Sequence, residues 1–196
     1  MKICITLDDV LRAKTKQIGK VYKKYVKDID LDKLEVKGNS VEDILGLTKK
    51  EANKFLYDDY PFEVFAEAEV CEKMLDKKLN LWHLNMHEEY DGDYELCLAN
   101  PYEFNTSIGN TCFFLAKAAT RVREFHFPAN SADIWDVCDV LITADPSLLK
   151  DKPEGKIAVK IEAPYNKDAE SDFTYASLSS LLDDEEFFNK IKGEKE

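Results

Sequence analysis

Three carboxylates stand where buried strands would hand them to solvent. Asp8 and Asp9 follow the apolar run Ile3, Cys4, Ile5 and Leu7, and Asp145 follows Val140-Leu141-Ile142-Thr143. An open parallel sheet builds its polar site at the C-terminal tips of its strands. Carboxylates gathered there can move protons or hold Mg²⁺, which takes hard oxygen ligands. Asp8, Asp9 and Asp145 meeting at one sheet edge would suit a cation. The competing reading makes them solvated or helix-capping groups, and that is the expectation here.

Other groups carry weaker chemistry. His83 and His87 are spaced i, i+4 on a predicted helix, a Zn²⁺ geometry only if a third ligand joins them. None stands at motif spacing, so no metal site is expected. Thr106, Ser107, Gly109 and Asn110 open a predicted helix and could offer amides to an anion, although a capped helix accounts for them too. From Arg12 to Lys27 the chain has seven basic residues and no acidic one: Arg12, Lys14, Lys16, Lys20, Lys23, Lys24 and Lys27. Such a stretch is either a solvated helix face or a docking face for an acidic partner. Arg12, Lys16, Lys20, Lys23, Lys24 and Lys27 are the interface candidates.

Periodicity supplies the elements that must hold these groups. Residues 3–7 read as a strand and 10–27 as a helix, with Ile18, Val21, Tyr22, Tyr25 and Val26 on one face. Residues 32–95 show helical patterns and no clear strand. Ser40 with Asp43 and Thr48 with Glu51 have the spacing of capping boxes, and Pro61 suits a helix first turn. A longer helix is predicted over 71–87 and a loop at 91–93. Strands follow at 94–99, 121–127, 139–143 and 156–161. Between them lie a helix over 108–119 and a short helix or turn at 131–137. Residues 167–180 read as irregular, and Asp183 caps a last helix through Phe187, Phe188 and Ile191. The alternation predicts an α/β fold: a Rossmann-like parallel sheet with a helical cap inserted after the first strand and helix. Residues 1–27 and 94–196 would form the core and 28–93 the cap.

Composition narrows the classes. The chain has 196 residues, 44% of them hydrophobic, which suits one ordinary domain with a real core. No apolar run approaches the ~18 residues of a membrane span. Ile3 to Leu7 is too short for the apolar part of a secretory leader. A net charge of −12 disfavours nonspecific binding to nucleic acid or anionic lipid. Phe104, Phe113, Phe114, Phe125, Phe127 and Trp135 are spaced like core rather than like a base-stacking platform. The five cysteines, Cys4, Cys71, Cys97, Cys112 and Cys138, form no C-x-x-C and are expected to be reduced core residues.

Thr6-Leu7-Asp8-Asp9-Val10-Leu11 resembles the first motif of the haloacid dehalogenase-like phosphohydrolases, D-x-D-G-[TV]-L. The late segment is similar to that of the 5′(3′)-deoxyribonucleotidases within that superfamily. There the strand Val140–Thr143 leads to Ala144-Asp145-Pro146, then Glu154-Gly155-Lys156, then Glu162-Ala163-Pro164-Tyr165-Asn166. The resemblance implies the haloacid dehalogenase-like fold with its cap. It also implies a chemistry in which an aspartate attacks phosphorus and a second carboxylate two residues on is the acid and base. A hydroxyl and a lysine then hold the phosphoryl oxygens, and a late acidic pair holds Mg²⁺.

In this sequence Thr6 takes the nucleophile's position, Asp8 the acid/base position and Asp9 the position of the glycine. The hydroxyl position falls near Ala99-Asn100, and the lysine is absent unless Arg121 or Arg123 replaces it. The acidic pair falls on Thr143-Ala144, with one acid displaced to Asp145. Losing a nucleophile alone costs roughly 10⁴–10⁶ in turnover. In the other register Asp8 becomes the nucleophile, but the acid/base position is then Val10, which transfers no proton.

Taken whole, the chain resembles small proteins of crAss-like tailed phages of gut Bacteroidetes. Ile3 to Lys16, Lys54 to Tyr60, Leu75 to Trp82 and Cys138 to Lys156 prompt the likeness. It implies a virion structural role as a ring or connector of the neck or tail. The expectation is therefore a non-catalytic assembly subunit on a degenerate phosphohydrolase fold, with Thr6, Asp8, Asp9 and Asp145 as a vestigial site and no cofactor. Its partners would be other protein subunits, in a homo-oligomer or a larger assembly, with no membrane and no direct nucleic-acid contact. It would sit in the virion, or in the cytoplasm if the phage likeness fails. The alternatives are a divergent Mg-dependent nucleotidase or phosphatase, and a nucleotide-binding module without turnover.

Overall fold

The computed structural model describes residues 1–34, 36–90, 92–118 and 120–193. Six strands form one sheet, β1 (Lys2–Thr6), β2 (Glu95–Ala99), β3 (Glu124–His126), β4 (Val140–Thr143), β5 (Ile157–Ile161) and β6 (Phe173–Tyr175). Their order is β3-β2-β1-β4-β5-β6, and every pairing is parallel. β1 is central because Ile3, Cys4 and Ile5 are apolar on both faces, as a strand covered on two sides requires. The order reverses beside β1, and such a switch point opens a crevice at the strand tips.

The helices are α1 (Lys14–Tyr25), α2 (Val41–Leu45), α3 (Lys49–Asn53), α4 (Leu75–Glu89), α5 (Thr106–Lys117), α6 (Pro146–Lys150), α7 (Leu178–Leu182) and α8 (Phe187–Gly193). Ser40 caps α2, and Thr48 with Glu51 closes a full capping box on α3, as their spacing predicts. Two π-helical turns, Lys54–Asp59 and Phe62–Ala66, follow α3.

Several boundaries differ from expectation. α1 begins at Lys14, not at residue 10, because the Leu7 carbonyl accepts the amides of Val10, Leu11 and Arg12 and winds the chain into a tight turn. α4 begins at Leu75, after Met74 at φ 65°. β6 falls within 167–180, which read as irregular, α7 begins there at Leu178, and α6 was hidden behind Pro146. These three elements have only 3–5 residues each, too few to show a period. Asp91 of the expected loop and Ala119 at the expected helix end lie outside the described residues.

The chain leaves the sheet at Arg12–Ala13 and returns at Glu69–Cys71. There the Ala13 amide donates to Glu69 O, and the Cys71 amide donates to Leu11 O, 2.9 Å each. Between these crossings Ile18 and Val21 of α1 bury with Val41, Ile44, Phe55 and Phe65. α4 goes the other way, since Leu75, Leu79, Trp82 and Met86 join the sheet's own core with Phe187 and Phe188. α1 thus packs with the inserted helices and α4 with the sheet, following where each helix's apolar stripe finds a partner.

Candidate functional site

The crevice at the tips of β1 and β4 is a cavity of about 240 Å³ between the sheet and the inserted helices. Thr6, Asp8, Asp9, Lys14, Asp145 and Tyr165 line its sheet side, and Asn39, Glu42, Asn53, Leu56 and Tyr57 its helical side. All four residues expected as a vestigial site are therefore brought together. The bonds each one makes decide what the site can do.

Thr6 Oγ1 donates to Thr143 Oγ1 at 3.0 Å, and the Asp145 amide donates to that same Thr143 hydroxyl at 3.1 Å. In the resembled phosphohydrolases these two positions carry a nucleophilic and a metal-binding carboxylate, which repel unless a cation stands between them. Two hydroxyls need no cation. Thr6 is buried, and among the described residues no general base hydrogen-bonds its hydroxyl.

Asp8 is held on both oxygens. Arg12 Nε and Nη2 donate to Oδ1 at 3.0 and 2.5 Å, and Lys14 Nζ donates to Oδ2 at 2.6 Å. Burial alone would push this carboxyl up, but Arg12 and Lys14 outweigh it and hold it well below the usual carboxylate range. An acid must be able to carry a proton at working pH, and Asp8 is kept from carrying one. A carboxyl with a depressed folded value contributes stability that is fully present above its unfolded value of 3.8. That contribution is lost as the pH falls below it.

Arg12 was expected on an exposed basic face, and that is corrected here: it is 0% exposed. Its Nη2 also pairs with Glu103 Oε1 at 2.5 Å, and Nη1 donates to Thr111 Oγ1 at 2.5 Å. The guanidinium carbon lies 5.2 Å from the Phe65 ring centre and 5.7 Å from that of Phe114, within cation–π range. Glu103 Oε1 also accepts from Thr111 Oγ1 and Asn100 Nδ2, while Oε2 is buried without a partner. Lys14 is buried as well. Burial would pull its ammonium down, but Asp8 outweighs that and the net direction is up. Arg12, Lys14, Asp8 and Glu103 are thus two cations against two anions.

The other two aspartates serve as caps. Asp9 stands at φ 57°, where the motif's glycine would be, a region Asp tolerates better than most residues. Its Oδ1 accepts the Thr15 amide at 2.9 Å in the first turn of α1, and Oδ2 accepts Tyr165 OH at 2.8 Å and the Thr15 hydroxyl. Burial pushes its carboxyl up, partly offset by the Thr15 bonds. Asp145 N-caps α6, Oδ1 accepting Ser147 N at 2.8 Å, while Oδ2 accepts Tyr102 OH at 2.5 Å. No group of three His, Cys, Asp or Glu side chains among the described residues could hold a metal.

Ser107 Oγ accepts the Phe104 amide and Thr106 Oγ1 donates to Tyr57 O, but no side chain caps the first turn of α5, against the expectation of a capped helix. His83 and His87 stack edge-on at 4.7 Å. Arg121 and Arg123 are exposed and do not line the cavity. The cation there is Lys14. It and Glu103 escape a motif search, and the only signal for them is Arg and Lys at four and six residues past Asp8.

A parallel sheet in the order 3-2-1-4-5-6, a tight turn after β1 and a helical insertion over the strand tips define the haloacid dehalogenase-like fold. Among solved structures the chain is similar to a protein described as a haloacid dehalogenase-like hydrolase from Bacteroides fragilis. The TM-score is 0.58 at 12% identity, over 92% of this chain and 98% of that one. That likeness shows a shared fold. No protein-family model matches the sequence, and no curated protein matches it.

The ion network sets a measurable cost. Arg12→Ala strands the Glu103 carboxylate in the interior and is expected to lower stability by about 3–5 kcal/mol, read from urea unfolding. Adding Glu103→Gln should recover part of that loss. An Arg12→Ala protein as stable as the wild type would contradict the network.

Proposed function

We propose that this protein is a non-catalytic module on the haloacid dehalogenase-like fold, its strand-tip site converted from phosphoryl transfer to holding the structure together. The observation that carries this reading is Asp8 clamped by Arg12 and Lys14. The hydroxyl pair of Thr6 and Thr143 at the positions of nucleophile and metal ligand supports it. The second reading, a divergent Mg-dependent phosphatase or nucleotidase, draws on the shared fold and on a cavity that Asp8 still lines. Expected in a Mg²⁺-supplemented assay with p-nitrophenyl phosphate and nucleoside monophosphates is no phosphate release above that of an Asp8→Asn variant. Release that Asp8→Asn abolishes would restore the enzyme.

The role we put in its place is assembly with other protein subunits, including copies of itself. The whole-chain phage likeness implies a ring or connector of a virion neck or tail, and the α1 surface supports docking of some kind. Lys16, Lys23, Lys24 and Lys27 are exposed there, with Lys20 half-buried, beside Tyr25 and Val26, which are 43% and 49% exposed. Lys20 pairs with Glu69 at 3.1 Å and Lys23 reaches Asp28 at 3.7 Å, surface pairs of little net energy that a partner could displace. Native mass measurement is expected to find an oligomer that Lys16→Glu with Lys24→Glu dissociates. A monomer at every concentration, alone and with its native partners, would contradict the role.

A further inference from the structure

The cavity remains after the chemistry is gone, and its charges are of the wrong sign for a phosphate. Four carboxylates, Asp8, Asp9, Glu42 and Asp145, line it against one ammonium, that of Lys14. Lys14 is already committed to Asp8. Asp8 is further neutralised by Arg12. The negative charge left facing the cavity belongs to Asp9, Glu42 and Asp145. An anion entering would meet these with no free cation among the lining residues to receive it. A phosphate-binding site is built the other way, with free donors and positive charge facing the ligand.

The hydrogen-bonding capacity points in the same direction. Asp9 and Asp145 have protein donors on both oxygens, but the side chains of Glu42, Asn39 and Asn53 on the opposite wall make no hydrogen bond among the described residues. Their free capacity comprises one carboxylate, which only accepts, and two carboxamides, which accept and donate alike, so Glu42 sets the charge preference of that wall. Tyr57, Tyr102 and Tyr165 supply rings to the same walls, surfaces that attract an organic cation. A volume of about 240 Å³ equals roughly eight waters at ~30 Å³ each, the size of a short aliphatic amine. We propose that this cavity binds a small protonated aliphatic amine, with Glu42 as the charged acceptor and the tyrosine rings packed along its chain. The binding reaction forms and breaks no covalent bond, so it stands or falls separately from the absence of phosphate release.

Isothermal titration of the full chain at about 0.15 M salt, where long-range attraction is screened, tests this. The probes are putrescine, cadaverine and agmatine, with inorganic phosphate and adenosine 5′-monophosphate as anions. Expected is one-to-one binding of at least one amine and none of the anions. Glu42→Gln should weaken that amine by about tenfold, the worth of one charge-assisted bond. Glu88→Gln, which removes an exposed carboxylate elsewhere, should leave it unchanged. The proposal is overturned if no amine binds, if an anion binds as tightly as the amines, or if the two variants behave alike.

Discussion

A guanidinium with no access to water has to be neutralised where it stands, and much of this molecule's centre is arranged around that need. Arg12 sits where the chain leaves the sheet for the insertion. It draws Asp8 from the turn after β1, Glu103 from the segment after β2 and Thr111 from α5. Phe65 of the insertion and Phe114 of α5 flank its plane. One side chain thus ties the first strand tip, the second strand tip and the inserted helices to each other. Removing charges from water costs several kcal/mol per ion, and close pairing with further hydrogen bonds is what offsets it. Glu103 meets this on one oxygen only, so its tolerance of the interior depends on Arg12.

Under the proposed non-catalytic reading, the same pairing is what denies the fold's usual reaction its acid. A phosphotransferring aspartate pair needs one carboxylate free to attack and another able to take and give a proton. Here the first is a hydroxyl bonded to a hydroxyl, and the second is held ionised by two cations. The changes are consistent with each other. Thr143 and Ala144 stand at the positions the resemblance gives to metal-binding acids, and Arg12 and Lys14 balance Asp8. Asp9 and Asp145 accept amides in the first turns of α1 and α6.

The sheet was legible because its strands are continuous apolar runs at β1, β2, β4 and β5, a pattern that burial on both faces imposes. The N-cap at Ser40 and the capping box at Thr48 were legible because their chemistry is local. β6, α6 and α7 were not, since they are short, lack such an apolar run, and depend for their assignment on a neighbour distant in sequence. That Thr6, Asp8, Asp9 and Asp145 lie close together could be read, and they do line one cavity. Its electrostatics could not. A run of seven basic residues looks like a surface face, and nothing in the order of residues tells that Arg12 and Lys14 turn inward while Lys16, Lys23, Lys24 and Lys27 stay out. That division is set by the turn at Leu7 and by Asp9 holding the first turn of α1.

The protonation state of Asp8 is the quantity on which the account turns. Carbon-13 NMR of the side-chain carboxyl, followed through an acid titration and assigned with Asp8→Asn, measures it in the folded protein. The account predicts that the Asp8 resonance keeps its ionised shift well below pH 3.8, the ordinary aspartate value, for as long as the fold persists. A carboxyl that titrates at or above that value would contradict it and return Asp8 to the role of an acid.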